Sequence, residues 1–230
     1  MTFSLSESWH RLISHPRPRL QHRVLLWLLW LLSVAYLLVL KAYRGVYRLR
    51  LIRPEKLRPF VVGIGNLTLG GTGKTTLTGL LARRMIEKGA RVGILLRGHG
   101  GKFTRSARLV STPSNLLLGA GEAGDEAFLL AQEVPGAPVA VGKDRRRSAR
   151  LIESSYPTDM LLLDDSFQYW RVEKDLEIVL WDASQPPRLH RLFPRGILRE
   201  PLSQLRRADW IWLTRTDQSG DMVYVFEEVF

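Results

Sequence analysis

The 230-residue chain contains no cysteine. That excludes a disulfide framework and any thiolate-held metal, and nothing in the composition points to an oxidising compartment. Acidic residues are scarce over the first 60 positions, where Glu7 and Glu55 stand against eleven Lys and Arg, so nine of the twelve excess positive charges lie in that stretch. The remainder is nearly balanced. Aromatic residues interleaved with basic ones, the mark of a base-stacking surface, are also missing there, so nucleic acid is not an expected partner despite the net charge of +12. Neither an internal repeat nor a low-complexity tract occurs. What remains is a chain with 45% apolar residues, ample for a core and incompatible with disorder throughout.

Charge is absent altogether from Val24 to Leu40, a run of Leu, Val, Trp and Ala broken only by the hydroxyls of Ser33 and Tyr36. As a helix it would be about 25 Å long, slightly short of a ~30 Å hydrocarbon core. Arg17, Arg19 and Arg23 flank one end and Lys41, Arg44, Arg48 and Arg50 the other, so the distribution of positive charge sets no orientation. Basic flanks at both ends suit a helix held against an anionic leaflet. Apolarity all round argues against a core helix, and no small-residue cleavage site follows Leu40, which argues against a signal peptide.

The most specific stretch is Gly65 to Thr76, Gly-Asn-Leu-Thr-Leu-Gly-Gly-Thr-Gly-Lys-Thr-Thr, placed between the apolar run Phe60-Val61-Val62 and a helical pattern. A loop that wraps phosphates must bring several backbone N–H groups to one point, which glycine permits. Gly70, Gly71, Thr72, Gly73, Lys74, Thr75 and Thr76 are the expected nucleotide-binding residues. Lys74 would reach the β- and γ-phosphates, Thr75 would ligate Mg²⁺, and the following helix would turn its positive end to the anion. Thr68 stands where the usual pattern has its first glycine. ATP with Mg²⁺ is the expected cofactor pair, and ATP use would put the working face in the cytoplasm.

Apolar runs then alternate with helical stretches. Strands are predicted at Phe60–Ile64, Arg91–Leu96, about Arg108–Ser111, Pro138–Val141, Asp159–Leu163, Leu176–Trp181 and Ala208–Thr214, and helices at Thr75–Lys88, Asp125–Glu133 and Arg145–Ser155. This alternation predicts an α/β fold of the P-loop NTPase kind, a mostly parallel, doubly wound sheet with helices on both faces, preceded by the apolar helix. The expected division is a basic N-terminal segment over 1–59, a P-loop domain over 60–215, and the start of a second domain over 216–230.

Two acidic motifs accompany the loop. Met160 to Asp165 is an apolar strand ending in Asp164 and Asp165, and carboxylates there can hold Mg²⁺ directly or through water; a solvated turn also carries such pairs. Gly124-Asp125-Glu126 opens a helix. Spacing alone makes Asp125 a helix cap, and the functional alternative is a carboxylate that takes a proton from an attacking hydroxyl.

In this order Gly65 to Thr75, Leu96-Arg-Gly-His-Gly-Gly101, Gly124-Asp-Glu126, Pro138-Val-Ala-Val-Gly-Lys-Asp-Arg145, Asp164-Asp-Ser-Phe-Gln168 and Pro194-Arg-Gly-Ile-Leu-Arg-Glu-Pro-Leu202 resemble the tetraacyldisaccharide 4′-kinase family of lipid A synthesis, over Val61 to Thr214. The resemblance implies transfer of the ATP γ-phosphoryl group to the 4′-hydroxyl of a tetraacyldisaccharide 1-phosphate at the cytoplasmic face of the inner membrane. It implies Asp125 as the base, Lys74 on the phosphates, Thr75, Glu126, Asp164 and Asp165 about the metal, and Arg97, Arg145, Arg199 and Glu200 on the substrate. Arginine's planar fork suits a phosphorylated ligand. Against the family pattern, Tyr169 replaces a histidine in Ser166-Phe167-Gln168-Tyr169, and His99 replaces an aromatic residue. The family's smaller second domain, which supplies a histidine to the base, would follow Thr214. His190, in Arg188-Leu-His-Arg191, reads as a surface loop residue instead. Two other readings stay open: a membrane-anchored P-loop ATPase or GTPase switch acting on a protein partner, and a truncated remnant that binds nucleotide without transfer.

Overall fold

The structure is a computed structural model and describes residues 5–14, 20–102, 106–185 and 189–218. Of the positions singled out above, Arg17, Arg19, Arg188 and most of the 216–230 stretch lie outside the described residues.

One seven-stranded sheet organises the chain. Its strands are β1 (Phe60–Asn66), β2 (Val92–Leu96), β3 (Arg108–Ser111), β4 (Val139–Val141), β5 (Met160–Asp164), β6 (Leu176–Asp182) and β7 (Trp210–Thr214). The spatial order is β3-β4-β2-β5-β1-β6-β7, with every pair parallel except the edge pair β3 and β4. The predicted strands and their direction therefore hold, with ends displaced by a residue or two. Near-continuous apolar runs are what a parallel sheet covered on both faces requires.

Side chains alternate between the faces. Val62, Ile64, Ile94, Leu96, Leu162, Ile178 and Leu180 pack against Ala82 of α3 (Lys74–Glu87) and Ala127 and Leu130 of α5 (Asp125–Glu133). Val61, Leu95, Ala140, Leu161 and Leu163 meet Ala149 and Ile152 of α6 (Arg145–Ser155) on the other side. A short helix not anticipated, α4 (Ala120–Ala123), precedes α5, and a 3₁₀ turn over Leu202–Arg207 leads into β7.

β1 ends where the Ser166–Phe167 turn crosses beneath it. A Cβ on Gly65 would lie 2.6 Å from Phe167 Cβ and 2.7 Å from Phe167 N, so the obstacle is partly backbone. Gly65→Ala is expected to cost about 1–3 kcal/mol, read as a lowered urea midpoint, because the turn rather than a flexible side chain must move.

The apolar stretch forms a longer helix than predicted, α2 (Leu20–Arg48), extended at its C-terminal end through Lys41, Arg44 and Arg48. By length and composition it is sufficient to cross a membrane. Most of its circumference is exposed, including Val24, Trp27, Leu28, Trp30, Leu32, Leu38 and Val39. One stripe is not. Leu26 packs with Ile13, Leu189 and Ile197; Ser33 Oγ donates to Leu192 O at 2.9 Å; Tyr36 donates its hydroxyl to Arg199 O at 2.9 Å; and Tyr47 lies 5.9 Å from the Trp170 ring. A short helix unforeseen in the sequence, α1 (Leu5–Ser14), braces the same region, with Trp9 Nε1 donating to Pro194 O at 2.8 Å.

Candidate active site

The loop between β1 and α3 delivers the expected constellation. Gly70 and Gly73 adopt positive φ, 113° and 86°, and Gly73 forms the N-cap of α3 without a side-chain cap, leaving the first helical N–H groups free for a ligand. Asn66 at the end of β1 braces the loop from inside, donating from Nδ2 to Thr72 Oγ1 at 3.0 Å. Lys74, at the start of the helix, lies 3.6 Å from Asp165 Oδ1.

β5 runs beside β1 and carries the acids to the same end of the sheet, pairing Ile64 with Asp164. Asp164 Oδ2 accepts from Thr75 Oγ1 at 3.0 Å and Oδ1 from the Asp165 N–H at 2.9 Å. It is 2% exposed. Burial pushes its carboxyl up to about 6, and the neighbouring charges of Glu126 and Asp165 add to the effect against Thr75 and Lys74. Asp165 takes a left-handed backbone, φ 47°, which turns its side chain off the strand line to accept from Arg199 Nη1 at 2.9 and 3.1 Å. Burial pulls its carboxyl up, but Arg199, Lys74 and Arg145 outweigh burial and hold it below the ordinary range.

The two acids therefore titrate apart in the absence of nucleotide: Asp164 takes up its proton at a higher pH than Asp165 does. Asp164 binds its proton more tightly when folded than when unfolded, so its contribution to stability is greatest below about pH 4 and declines as pH rises through 6. The nucleotide-free protein should lose about 3 kcal/mol of stability from this group across that window, on a shift of about two units. Asp164→Asn should flatten that part of the pH–stability curve measured by thermal melting.

Thr75, Asp164 and Asp165 supply hard oxygen donors next to the loop, and Glu126 senses the same space electrostatically. Among the described residues no group of three or more His, Asp or Glu side chains converges as a self-sufficient metal cage. Such a donor set fits Mg²⁺, which takes one or two carboxylates and completes its octahedron with phosphate and water oxygens.

Asp125 does not cap its helix, contrary to the expectation from spacing. Gly124 occupies the cap with φ 89°, no side-chain cap bond is made, and Asp125 is the exposed first helical residue, without a hydrogen-bond partner among the described residues. Its carboxylate is thus uncommitted. The turn Gly98–Gly101 locks onto this helix start so tightly that a Cβ on Gly124 would fall 2.1 Å from His99 O.

His99 in turn lines a cavity of about 450 Å³ between the loop and α2, with Arg97, Arg145, Asp165, Gln168 and Arg199 as its polar wall and Tyr36, Leu69 and Phe193 toward the apolar helix. Arg145 is 4% exposed and donates from Nη2 to the carbonyls of Asp164 (3.0 Å) and Asp165 (3.1 Å), so it both lines the cavity and fixes the acid pair. Arg97, Arg145 and Arg199 are brought together as the resemblance implies.

Glu200 is not. It is 2% exposed and turned away from this cavity, pairing at 2.8 Å with Arg207, whose guanidinium lies 4.1 Å from both the Phe167 and Trp170 ring centroids. Its expected place on the substrate is corrected to a support beneath the wall. His190 is likewise no surface residue: it packs edge-on to Trp181 at 4.6 Å, and burial lowers its pKa. Tyr169 uses its hydroxyl on Asp144 Oδ1 at 2.9 Å. Sequence reasoning missed Tyr36 and Phe193 as cavity walls, because inside an apolar run or a loop neither carries a local signal.

A parallel sheet with a glycine-bounded loop, a helix N-terminus and a carboxylate on the adjacent strand defines a P-loop nucleoside-triphosphate-binding domain. The family described as LpxK, tetraacyldisaccharide-1-P 4′-kinase, matches residues 25–226, and the chain belongs to that family. A tetraacyldisaccharide 4′-kinase of Pelobacter propionicus is 39% identical over 215 residues, covering 94% of this chain and 60% of that protein. One of Geobacter metallireducens is 40% identical over 193 residues, covering 84% and 57%. The crystal structure of Aquifex aeolicus LpxK in complex with ATP superposes with a TM-score of 0.76 at 34% identity, covering 84% of this chain and 60% of that one. The chain thus spans about 60% of the length of these relatives.

Proposed function

We propose that the protein transfers the γ-phosphoryl group of ATP to the 4′-hydroxyl of a tetraacyldisaccharide 1-phosphate at the cytoplasmic face of the inner membrane. The observation that carries this reading is the cavity itself: its wall includes Asp165, which pairs with Lys74 of the phosphate loop, its lining is rich in arginine, and Tyr36 of the apolar helix contributes to it. A nucleotide switch acting on a protein partner has no use for such a chamber.

In this reading the loop amides and Lys74 hold the triphosphate, and Arg97, Arg145 and Arg199 orient the acceptor. Asp125 takes the proton of the 4′-hydroxyl as its oxygen bonds to the γ-phosphorus; the bond from that phosphorus to the β,γ-bridging oxygen breaks, and ADP leaves. Mg²⁺, held through Thr75, Asp164 and Asp165 with Glu126 nearby, would neutralise charge on the phosphates. Little covalent chemistry is asked of the protein, so positioning dominates.

Membrane association is supported by the stripe on α2. From Leu26 to Tyr47 the helix advances about 32 Å, as much as a hydrocarbon core is thick. Contacts with the catalytic domain occur along that whole length. A crossing helix would carry the domain into lipid with it, so α2 lies in the interface, its exposed Trp and Leu face down. Incubation in detergent micelles with ATP, Mg²⁺ and the disaccharide 1-phosphate should yield a 4′-phosphorylated product; nucleotide binding without any transfer would overturn the kinase reading.

A further inference from the structure

A second cavity of about 390 Å³ adjoins the first and shares Arg97, Arg145 and Tyr169 with it. Its remaining lining is Lys143, Asp144, Arg147 and Arg171, so five cations face one acid. That acid is already spent: Arg146 bonds both Asp144 oxygens, at 2.9 and 2.6 Å, Tyr169 donates to it at 2.9 Å, and Arg171 approaches to 3.9 Å. Arg146 holds the Asp144 carboxyl well below the usual range, with Tyr169 acting the same way against burial.

The cations are not spent. Among the described residues Arg97, Lys143 and Arg147 have no ion pair or hydrogen bond to their side chains. Arg145 is nine-tenths buried between the two cavities, and its Nε has no partner although Nη2 does. Burying an arginine without satisfying its donors is unfavourable, and gathering like charges around one hollow is unfavourable too. Neither feature helps the fold. Both are relieved by a dianion. The first turn of α6, starting at Arg145, adds its positive dipole end at the same place.

We propose that this annex binds the second anionic group of the acceptor, its anomeric phosphomonoester, and so selects a sugar phosphate over the neutral sugar. The inference rests on the kinase reading above. The hydroxyl to be phosphorylated would lie in the first cavity, beside Asp165 and the loop, while the phosphate already present sits among Lys143, Arg147 and Arg97. Lys143 and Arg147 are the discriminating residues, since both are exposed and neither contacts the nucleotide loop.

Binding can be read apart from catalysis by titrating the full chain with N-acetylglucosamine 1-phosphate and with neutral N-acetylglucosamine. The phosphate ester should bind measurably tighter, and the Lys143→Gln/Arg147→Gln double variant should lose most of that difference. Arg150→Gln, on the same helix but paired with Glu55, is the control and should keep it. In the transfer assay the double variant should raise KM for the phosphorylated acceptor at least tenfold and leave KM for ATP unchanged. Retention of the wild-type preference by the double variant, in binding or transfer, would overturn the subsite. So would loss of binding to phosphatidylglycerol vesicles with acceptor preference intact, which would assign these cations to the leaflet. If N-acetylglucosamine 1-phosphate binds as expected but no acceptor is phosphorylated, the kinase reading fails while the anion site stands.

Discussion

Lys74→Ala is expected to reduce transfer at least a thousandfold while leaving the melting temperature within a degree or two. The magnitude follows from what Lys74 would do: it places a positive charge against the β- and γ-phosphates in a site where charge neutralisation is most of catalysis. The small effect on stability follows from what it does now. Among the described residues of the nucleotide-free protein Lys74 is paired only with Asp165, at 3.6 Å, and Asp165 keeps two contacts to Arg199 when Lys74 is removed. A variant that still transfers at more than a tenth of the wild-type rate would remove the loop from the mechanism.

Asp125→Asn should cost a hundred- to ten-thousandfold in kcat, the usual range for losing a general base, with nucleotide affinity nearly unchanged. The asparagine keeps size and polarity and loses proton affinity. Because Gly124 rather than Asp125 caps α5, the substitution removes no helix-capping bond and only a first-turn charge worth about 0.3–1 kcal/mol, too little to unfold the protein and mimic the activity loss. That separation would be unavailable had Asp125 served as the cap. Unchanged kcat in Asp125→Asn would move the base elsewhere, with Asp165 next in line on the cavity wall.

The parts of this architecture that could be read from sequence are those governed by local chemistry. Glycines followed by Lys74 and Thr75 fix a turn and a helix start whatever surrounds them, and Met160 to Asp164 is too continuously apolar to be anything but an interior strand. Asp164 and Asp165 are legible as a pair, yet the opposite directions of their pKa shifts depend on the burial of Asp164, on the left-handed turn at Asp165 and on Arg199, 34 residues away. The place of Glu200 is not legible because adjacency to Arg199 says nothing about direction; the Phe167–Trp170 clamp on Arg207 draws it inward. The local sequence of His190 carries no sign of burial because its partner, Trp181, belongs to a strand. Acids favour helix starts, which makes Asp125 a cap by spacing, and the close packing of Gly124 against His99 overrides that preference.

The hydroxyl of Tyr36, bonded to Arg199 O, joins the apolar helix directly to an arginine that grips Asp165. If α2 lies flat in the membrane interface, as proposed above, the side of the proposed acceptor chamber lined by Tyr36 would sit level with the lipid surface. An acyl-chained sugar would then slide in sideways with its tails still solvated by neighbouring lipids, and the desolvation barrier to extracting it never arises. What governs encounter in such an arrangement is the number of acceptor molecules per unit area of leaflet, a two-dimensional quantity to which the volume of the surrounding cytoplasm is irrelevant.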